Sequence, residues 1–151
     1  MMEHYFTVHP SSKLKLGLLD TTLLGVRLRF MTASGVFSHK RVDTGSRVLI
    51  DSMVIPRTGR VLDLGCGWGP IGISIAATHT ETIVVMTDIN KRAVWLAVEN
   101  VRLNNVNAEV MWGDLYDPVK HLKFDVVVSN PPISAGRDVN MRAISGACAI
   151  L

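Results

Sequence analysis

The chain has 151 residues, of which 48% are hydrophobic and 19% charged, with a formal net charge of +3. This length suits a single domain with a substantial core, and the composition excludes an intrinsically disordered chain. No apolar run approaches the roughly 20 residues that a transmembrane helix needs. The N-terminus has no basic region followed by a hydrophobic stretch, so no signal peptide is predicted.

The two cysteines, Cys66 and Cys148, have neither the spacing of a metal site nor that of a disulfide framework. We therefore expect no metal site and a reducing, cytoplasmic location.

Residues 1–57 are predicted to form a small β-rich extension. Two strand-like runs, 16–24 and 26–31, are separated by a turn, and in the second run apolar residues alternate with Arg27 and Arg29. This alternation predicts a β-hairpin whose outer face carries arginines.

Asp43 is placed to cap a helix that runs to about residue 54. Its apolar side chains Val48, Leu49 and Met53 are predicted to face inward.

Residues 58–151 show alternating strand and helix patterns, which predict an α/β domain with a parallel sheet and helices on both faces. The predicted strands are 60–64, 82–87, 108–112 and 124–129. The predicted helices are 70–79, a second one capped by Asn90 and ending near 104, and a final one. In that final helix Met141, Ile144, Cys148 and Leu151 fall at helical spacing.

Positive charge is concentrated in the extension, which contains eight Lys and Arg residues but only four Asp and Glu residues. Residues 58–151 contain eight Lys and Arg residues and nine Asp and Glu residues. The asymmetry fits a nucleic-acid partner, with Arg27, Arg29, Lys40 and Arg41 as phosphate contacts, but it also fits an ordinary basic surface.

A glycine-rich loop joins the strand at 60–64 to the helix that follows. A phosphate-binding P-loop would need Lys-Ser/Thr after its last glycine, and a dinucleotide fingerprint would need glycine where Pro70 stands. The spacing Asp63-x-Gly65-x-Gly67-x-Gly69 instead resembles the first motif of class I S-adenosylmethionine-dependent methyltransferases. The resemblance implies that Gly65, Cys66, Gly67 and Gly69 cradle the methionine part of the cofactor and that Asp63 meets its ammonium group.

Acidic residues follow the next two predicted strands. Asp88 stands where an acid accepts hydrogen bonds from ribose hydroxyls, although NAD would use the same acid. By the same resemblance, Ile89 would pack on the adenine ring, and Asp114 and Leu115 would lie near its amino group.

The sequence Asn130-Pro131-Pro132-Ile133 follows the fourth predicted strand. It resembles the Asn-Pro-Pro-aromatic motif of methyltransferases that modify planar nitrogen. The Asn130 oxygen and the Pro131 carbonyl would each accept a hydrogen bond from the target amine, and Pro132 would hold that carbonyl in place. Ile133 replaces the usual aromatic residue and would provide an apolar wall for the target.

Together with Phe37-Ser38 and Asp43-x-Gly45-Ser46, these motifs resemble the methyltransferase small domain family, which includes ribosomal RNA guanine-N2 methyltransferases. The resemblance implies a Rossmann-like fold, Phe37 and Ser38 near the cofactor, and transfer to guanine N2 of ribosomal RNA. The alternatives are a protein glutamine-N5 methyltransferase, or a module that binds cofactor or RNA without turnover. An NAD-dependent oxidoreductase is disfavoured by Pro70 and by Asn-Pro-Pro.

Members of this fold continue after the fourth strand with a helix and three further strands, whereas this sequence stops at Leu151. We therefore expect the C-terminal strands to be missing, and self-association through the open, apolar edge of the fourth strand.

Overall fold

The computed structural model describes residues 12–132 and 135–151. The helices and strands follow in the order β1 (Leu16–Leu23), β2 (Val26–Ala33), α1 (Thr44–Ser52), β3 (Gly59–Leu64), α2 (Pro70–Thr78), β4 (Thr82–Asp88), α3 (Lys91–Leu103), β5 (Glu109–Trp112), β6 (Val126–Ser129) and α4 (Arg137–Ile150). A short 3-10 turn occupies Asp117–Val119. The α/β class predicted from the sequence is confirmed.

Four parallel strands form the sheet, in the order β5-β4-β3-β6. The chain steps from β3 outward through β4 to β5 and then returns to the other side of β3 to form β6. Open α/β sheets bind ligands where the strand order reverses, outside the carboxyl ends of the strands. The topology therefore directs attention to the loops that follow β3, β4 and β6.

The centre of the sheet is apolar because it is covered on both faces. Val61 and Leu62 of β3 are fully buried. Helix α2 is apolar all round and seven of its nine residues are buried, since β2 and α1 pack against it in addition to the sheet.

The predicted hairpin is confirmed, with β1 and β2 antiparallel and joined by a tight turn at Leu24-Gly25. Leu28 and Phe30 of β2 are buried, whereas Arg27 and Arg29 are exposed, as the alternation predicted. The Phe30 and Trp68 rings pack edge to face with centroids 4.9 Å apart. The hairpin shares one hydrophobic cluster with α2 and α3. The division of the chain into an extension and a domain at residue 57 stays a prediction.

Helix α1 begins where the sequence predicts, with Asp43 accepting hydrogen bonds from the Gly45 and Ser46 amides. The prediction that Val48 faces inward is wrong, since its side chain is 61% exposed. Ser46 and Ile50, one helical turn apart, are the buried residues instead.

The final predicted helix is confirmed as α4. Its apolar residues at helical spacing lie on the exposed side, with relative exposures of 54% for Met141, 69% for Ile144 and 57% for Leu151. Ile150 is the residue that α4 buries. Within the described residues no helix is long and apolar enough to cross a membrane.

Candidate active site

A cavity opens at the carboxyl ends of β3, β4 and β6, where the topology predicts a ligand site. Twelve residues that the sequence singled out line it: Phe37, Ser38, Gly65, Cys66, Gly67, Asp88, Ile89, Asp114, Leu115, Asn130, Pro131 and Pro132. The glycine loop, the acids after β4 and β5, and the Asn-Pro-Pro segment are therefore brought together around one space.

The glycine loop leaves its backbone open to the cavity. Gly65 and Gly67 have φ angles of +69° and +59°, a region that favours glycine. A side chain added at either position would meet no atom within 4 Å. The loop thus forms a cradle that a ligand can approach closely.

Gly69 and Gly72 serve the packing of α2 instead. A Cβ on Gly69 would lie 2.9 Å from the Ile73 side chain, and one on Gly72 would overlap the Met86 side chain. Gly69 is the N-cap residue of α2 and is not among the residues that line the cavity. Its predicted contact with a cofactor stays a prediction.

Asp63, at the carboxyl end of β3, is only 1% exposed and is not among the residues that line the cavity. One carboxylate oxygen accepts a hydrogen bond from the Gly72 amide at 2.9 Å and so satisfies the first turn of α2. The other oxygen has no partner among the described residues. Burial, opposed by the Gly72 amide and assisted by the negative charge of Asp88, raises the pKa of Asp63 to about 7.

Asp88 fixes the loop and still faces the cavity. Its Oδ2 accepts the Gly67 N–H at 2.8 Å, and its Oδ1 accepts the Asn90 N–H at 2.8 Å. Burial raises the pKa of Asp88 to about 6, although these amides lower it. The two carboxylate oxygens together offer about four acceptor sites, so the side chain can still receive a ribose hydroxyl without releasing the loop.

Helix α4 forms part of the wall beside Asp114. The Arg142 guanidinium pairs with the Asp114 carboxylate at 2.9 Å, and the Tyr116 hydroxyl donates to the Ala143 carbonyl at 2.5 Å. Val139 and Ala143 line the cavity. Sequence reasoning missed both, because nothing in their local pattern indicates which loop the helix meets.

Asn130 is held by the N-terminus of α1. Its Nδ2 donates to Asp43 Oδ2 and to Ser46 Oγ, each at 3.0 Å. Asp43 and Ser46 also line the cavity. From the sequence, their Asp-x-Gly-Ser motif was interpreted only as the start of a helix and as part of the family resemblance.

The predicted basic contacts lie elsewhere on the surface. Arg27, Arg29, Lys40 and Arg41 are exposed and do not line the cavity, and Arg29 pairs with Asp20 at 2.6 Å. Ile133 lies outside the described residues. No group of three His, Cys, Asp or Glu side chains in 12–132 or 135–151 could hold a metal ion.

The strand order and the open glycine cradle, with acids after β4 and β5, define the Rossmann-like fold of class I S-adenosylmethionine-dependent methyltransferases. The sequence profile named "Methyltransferase small domain" matches residues 27–151. The chain belongs to the methyltransferase small domain family.

Two curated relatives illustrate the range of the family. YbxB of Bacillus subtilis (strain 168) is 42% identical over 142 residues, which are 92% of this chain and 71% of YbxB. Ribosomal RNA small subunit methyltransferase C of Pasteurella multocida (strain Pm70) is 37% identical over 118 residues. That match covers 78% of this chain and 36% of the relative, so the chain spans about a third of the length of this enzyme.

Among solved structures, the chain is similar to the T. thermophilus 16S rRNA N2 G1207 methyltransferase (RsmC) in complex with AdoMet and guanosine. The TM-score is 0.82 at 26% identity, over 94% of this chain and 40% of that chain. The family and this AdoMet-bound relative identify S-adenosylmethionine as the cofactor. The open cradle at Gly65 and Gly67 and the available acceptors of Asp88 fit its methionine and ribose parts.

Proposed function

We propose that the protein transfers a methyl group from S-adenosylmethionine to an exocyclic amino nitrogen, namely guanine N2 in ribosomal RNA. The observation that carries the proposal is the position of Asn130. This residue lines the same cavity as the glycine loop and Asp88, and both hydrogens of its amide are already donated to α1. Its oxygen is therefore the atom left to accept a hydrogen bond from an amine.

The exocyclic nitrogen of guanine is a weak nucleophile because its lone pair is delocalised into the ring. Bound S-adenosylmethionine supplies a methyl group activated by the positive sulfonium. Asn130 Oδ1 and the Pro131 carbonyl would each accept one N–H of the amine and direct its lone pair at the methyl carbon. Such positioning supplies much of the catalysis without a strong general base.

The remaining cavity residues would hold the cofactor. Asp88 would accept the ribose hydroxyls, and the amides around Gly65 and Gly67 would approach the methionine carboxylate at the start of α2. Asp63 does not line the cavity and would favour the ammonium group through its charge alone. Ile89, Asp114 and Leu115 would surround the adenine, and Phe37 and Ser38 would cover the cofactor.

A ribosomal RNA substrate accounts for the basic extension. Exposed Arg27, Lys40 and Arg41 would contact phosphates, with Arg29 restrained by its pair with Asp20. A paired target base would have to be flipped out of its helix, at a cost of a few kcal/mol. A cytoplasmic location follows from this substrate.

Self-association is a further part of the proposal. Among the described strands β6 pairs only with β3, so its other edge presents unpaired backbone groups. Light scattering that finds a monomer at high concentration would contradict it.

Calorimetry with S-adenosylhomocysteine and with NAD tests the cofactor, since the proposal requires binding of the first and not of the second. Transfer of labelled methyl from S-adenosylmethionine to unmodified small-subunit ribosomal RNA, followed by nucleoside analysis, tests the target. Asn130→Ala should abolish transfer and preserve binding of S-adenosylhomocysteine. Methylation of a glutamine-containing peptide, or binding without any transfer, would favour the alternative functions instead.

A further inference from the structure

The orientation of the Asn130 amide is determined by chemistry. Its neighbour Asp43 carries a carboxylate, which accepts hydrogen bonds and donates none when ionised. The amide nitrogen must therefore be the atom that faces Asp43, where Nδ2 lies 3.0 Å from Oδ2. Asn130 Oδ1 is left without either of these partners.

The acceptors on α1 are themselves held in place. Asp43 Oδ2 also accepts the Gly45 amide at 3.0 Å and the Ser46 amide at 3.4 Å. Ser46 is only 7% exposed, and its Oγ accepts the second N–H of Asn130 at 3.0 Å. The start of α1 is thus a rigid double acceptor for one amide group.

The backbone of α1 approaches Asn130 closely. A Cβ on Gly45 would lie 3.0 Å from Asn130 Oδ1 and 3.2 Å from Nδ2. Only glycine leaves room for the amide at this place, because the side chain of any larger residue would press on both Oδ1 and Nδ2.

We propose that Asp43 and Ser46 are positioning residues for methyl transfer. They bind both N–H groups of Asn130, fix the rotation of its amide and leave Oδ1 to accept the hydrogen bond of the target amine. The negative charge of Asp43 also polarises the amide and strengthens Oδ1 as an acceptor. This inference rests on the proposed function, because it assigns Asp43 and Ser46 a role in the same reaction.

The decisive variant is Asp43→Ser. Serine is as good an N-cap as aspartate, so α1 stays capped, but its shorter side chain cannot also reach Asn130. We expect kcat for transfer to unmodified small-subunit ribosomal RNA to fall about 10- to 100-fold, the loss typical of a misplaced catalytic group. The dissociation constant of S-adenosylhomocysteine should stay within about twofold, since cofactor binding does not use this contact.

Three further variants separate positioning from structural support. Ser46→Ala should lower kcat by several-fold, since one of the two acceptors remains. Asp43→Asn keeps an acceptor oxygen for the cap and for Asn130, and should recover most of the activity lost in Asp43→Ser. Thr44→Ala changes the exposed neighbour of Asp43 and should leave kcat unchanged.

Side-chain amide NMR provides a readout that is independent of activity. In the unaltered protein both Asn130 amide protons should exchange slowly with water, and Asp43→Ser should accelerate their exchange. Failure of the unaltered protein to methylate the RNA would refute the proposed function. The exchange rates of the Asn130 amide protons would still show whether Asp43 and Ser46 hold this amide. Wild-type kcat in Asp43→Ser, or unchanged Asn130 exchange, would overturn the positioning role.

Discussion

Asn100 of α3 binds the backbone of Met31 in β2 as a neighbouring strand would. Its Oδ1 accepts the Met31 N–H at 2.6 Å and its Nδ2 donates to the Met31 carbonyl at 2.9 Å. The same nitrogen donates to the Trp68 carbonyl in the glycine loop at 2.8 Å. One fully buried side chain therefore joins the hairpin, the cofactor loop and α3.

Asn100→Ala should lower the free energy of unfolding by roughly 2–3 kcal/mol, because it leaves buried backbone groups of Met31 and Trp68 without partners. Urea denaturation measures the change. Glu99→Ala provides a control on the same helix, since it removes only a surface pair with Arg102 and should cost less than about 1 kcal/mol. Equal losses in the two variants would show that the Asn100 contacts add little stability.

Gly65→Ala should weaken binding of S-adenosylhomocysteine at least about tenfold, because its methyl group would project into the cradle. Gly25→Ala is a matched control. Gly25 also has a left-handed φ, +77° against +69°, and a Cβ there also meets nothing within 4 Å, but it lies in the hairpin turn. Both variants bear a similar backbone strain of about 1 kcal/mol. If both bound S-adenosylhomocysteine more weakly, backbone strain and not the position of the methyl group in the cradle would explain the loss.

The sequence predicted those parts of the site that lie next to a strand end. Asp88, the glycine loop and Asn130 each directly follow a predicted strand, and parallel strands bring their carboxyl ends to one edge. Their meeting around one cavity was thus predictable from local patterns and from the topology.

Contacts between residues distant in sequence were not predictable in this way. Asn130 meets Asp43 and Ser46 across 87 and 84 positions, and this pairing depends on how α1 packs against α2. Val48 is apolar, but hydrophobicity does not say which side of a helix faces the core. In α1, which begins after Asp43, Ile50 is the apolar residue that is buried.

Gly45→Ala tests the close approach of α1 to Asn130 by steric means. The added methyl group would press on Asn130 Oδ1 and Asp43 Oδ2, each at 3.0 Å, and a shift of a few tenths of an ångström would displace the amide. We expect kcat for RNA methylation to fall about tenfold, while calorimetry finds S-adenosylhomocysteine bound normally. A kcat equal to that of the unaltered protein would show that the amide tolerates the displacement.

The stability of the cofactor-free protein should decline as the pH rises from about 5 to 7, because of Asp63. Its pKa is about 7 in the folded protein, raised by burial above the ordinary value of 3.8. Between these values the unfolded chain has released the proton and the folded protein still holds it, so a rising pH favours unfolding. The expected loss in unfolding free energy is of order 1 kcal/mol per pH unit.

Urea denaturation at several pH values measures this slope. Asp63→Asn removes the ionisation and keeps an oxygen for the Gly72 amide, so the decline between pH 6 and 7 should flatten. Asp88, with a pKa of about 6, adds to the slope only below that range. Asp51→Asn, on the exposed side of α1, should leave the slope unchanged. A stability that does not decline between pH 5 and 7 in the unaltered protein would mean that Asp63 is already ionised in the folded state.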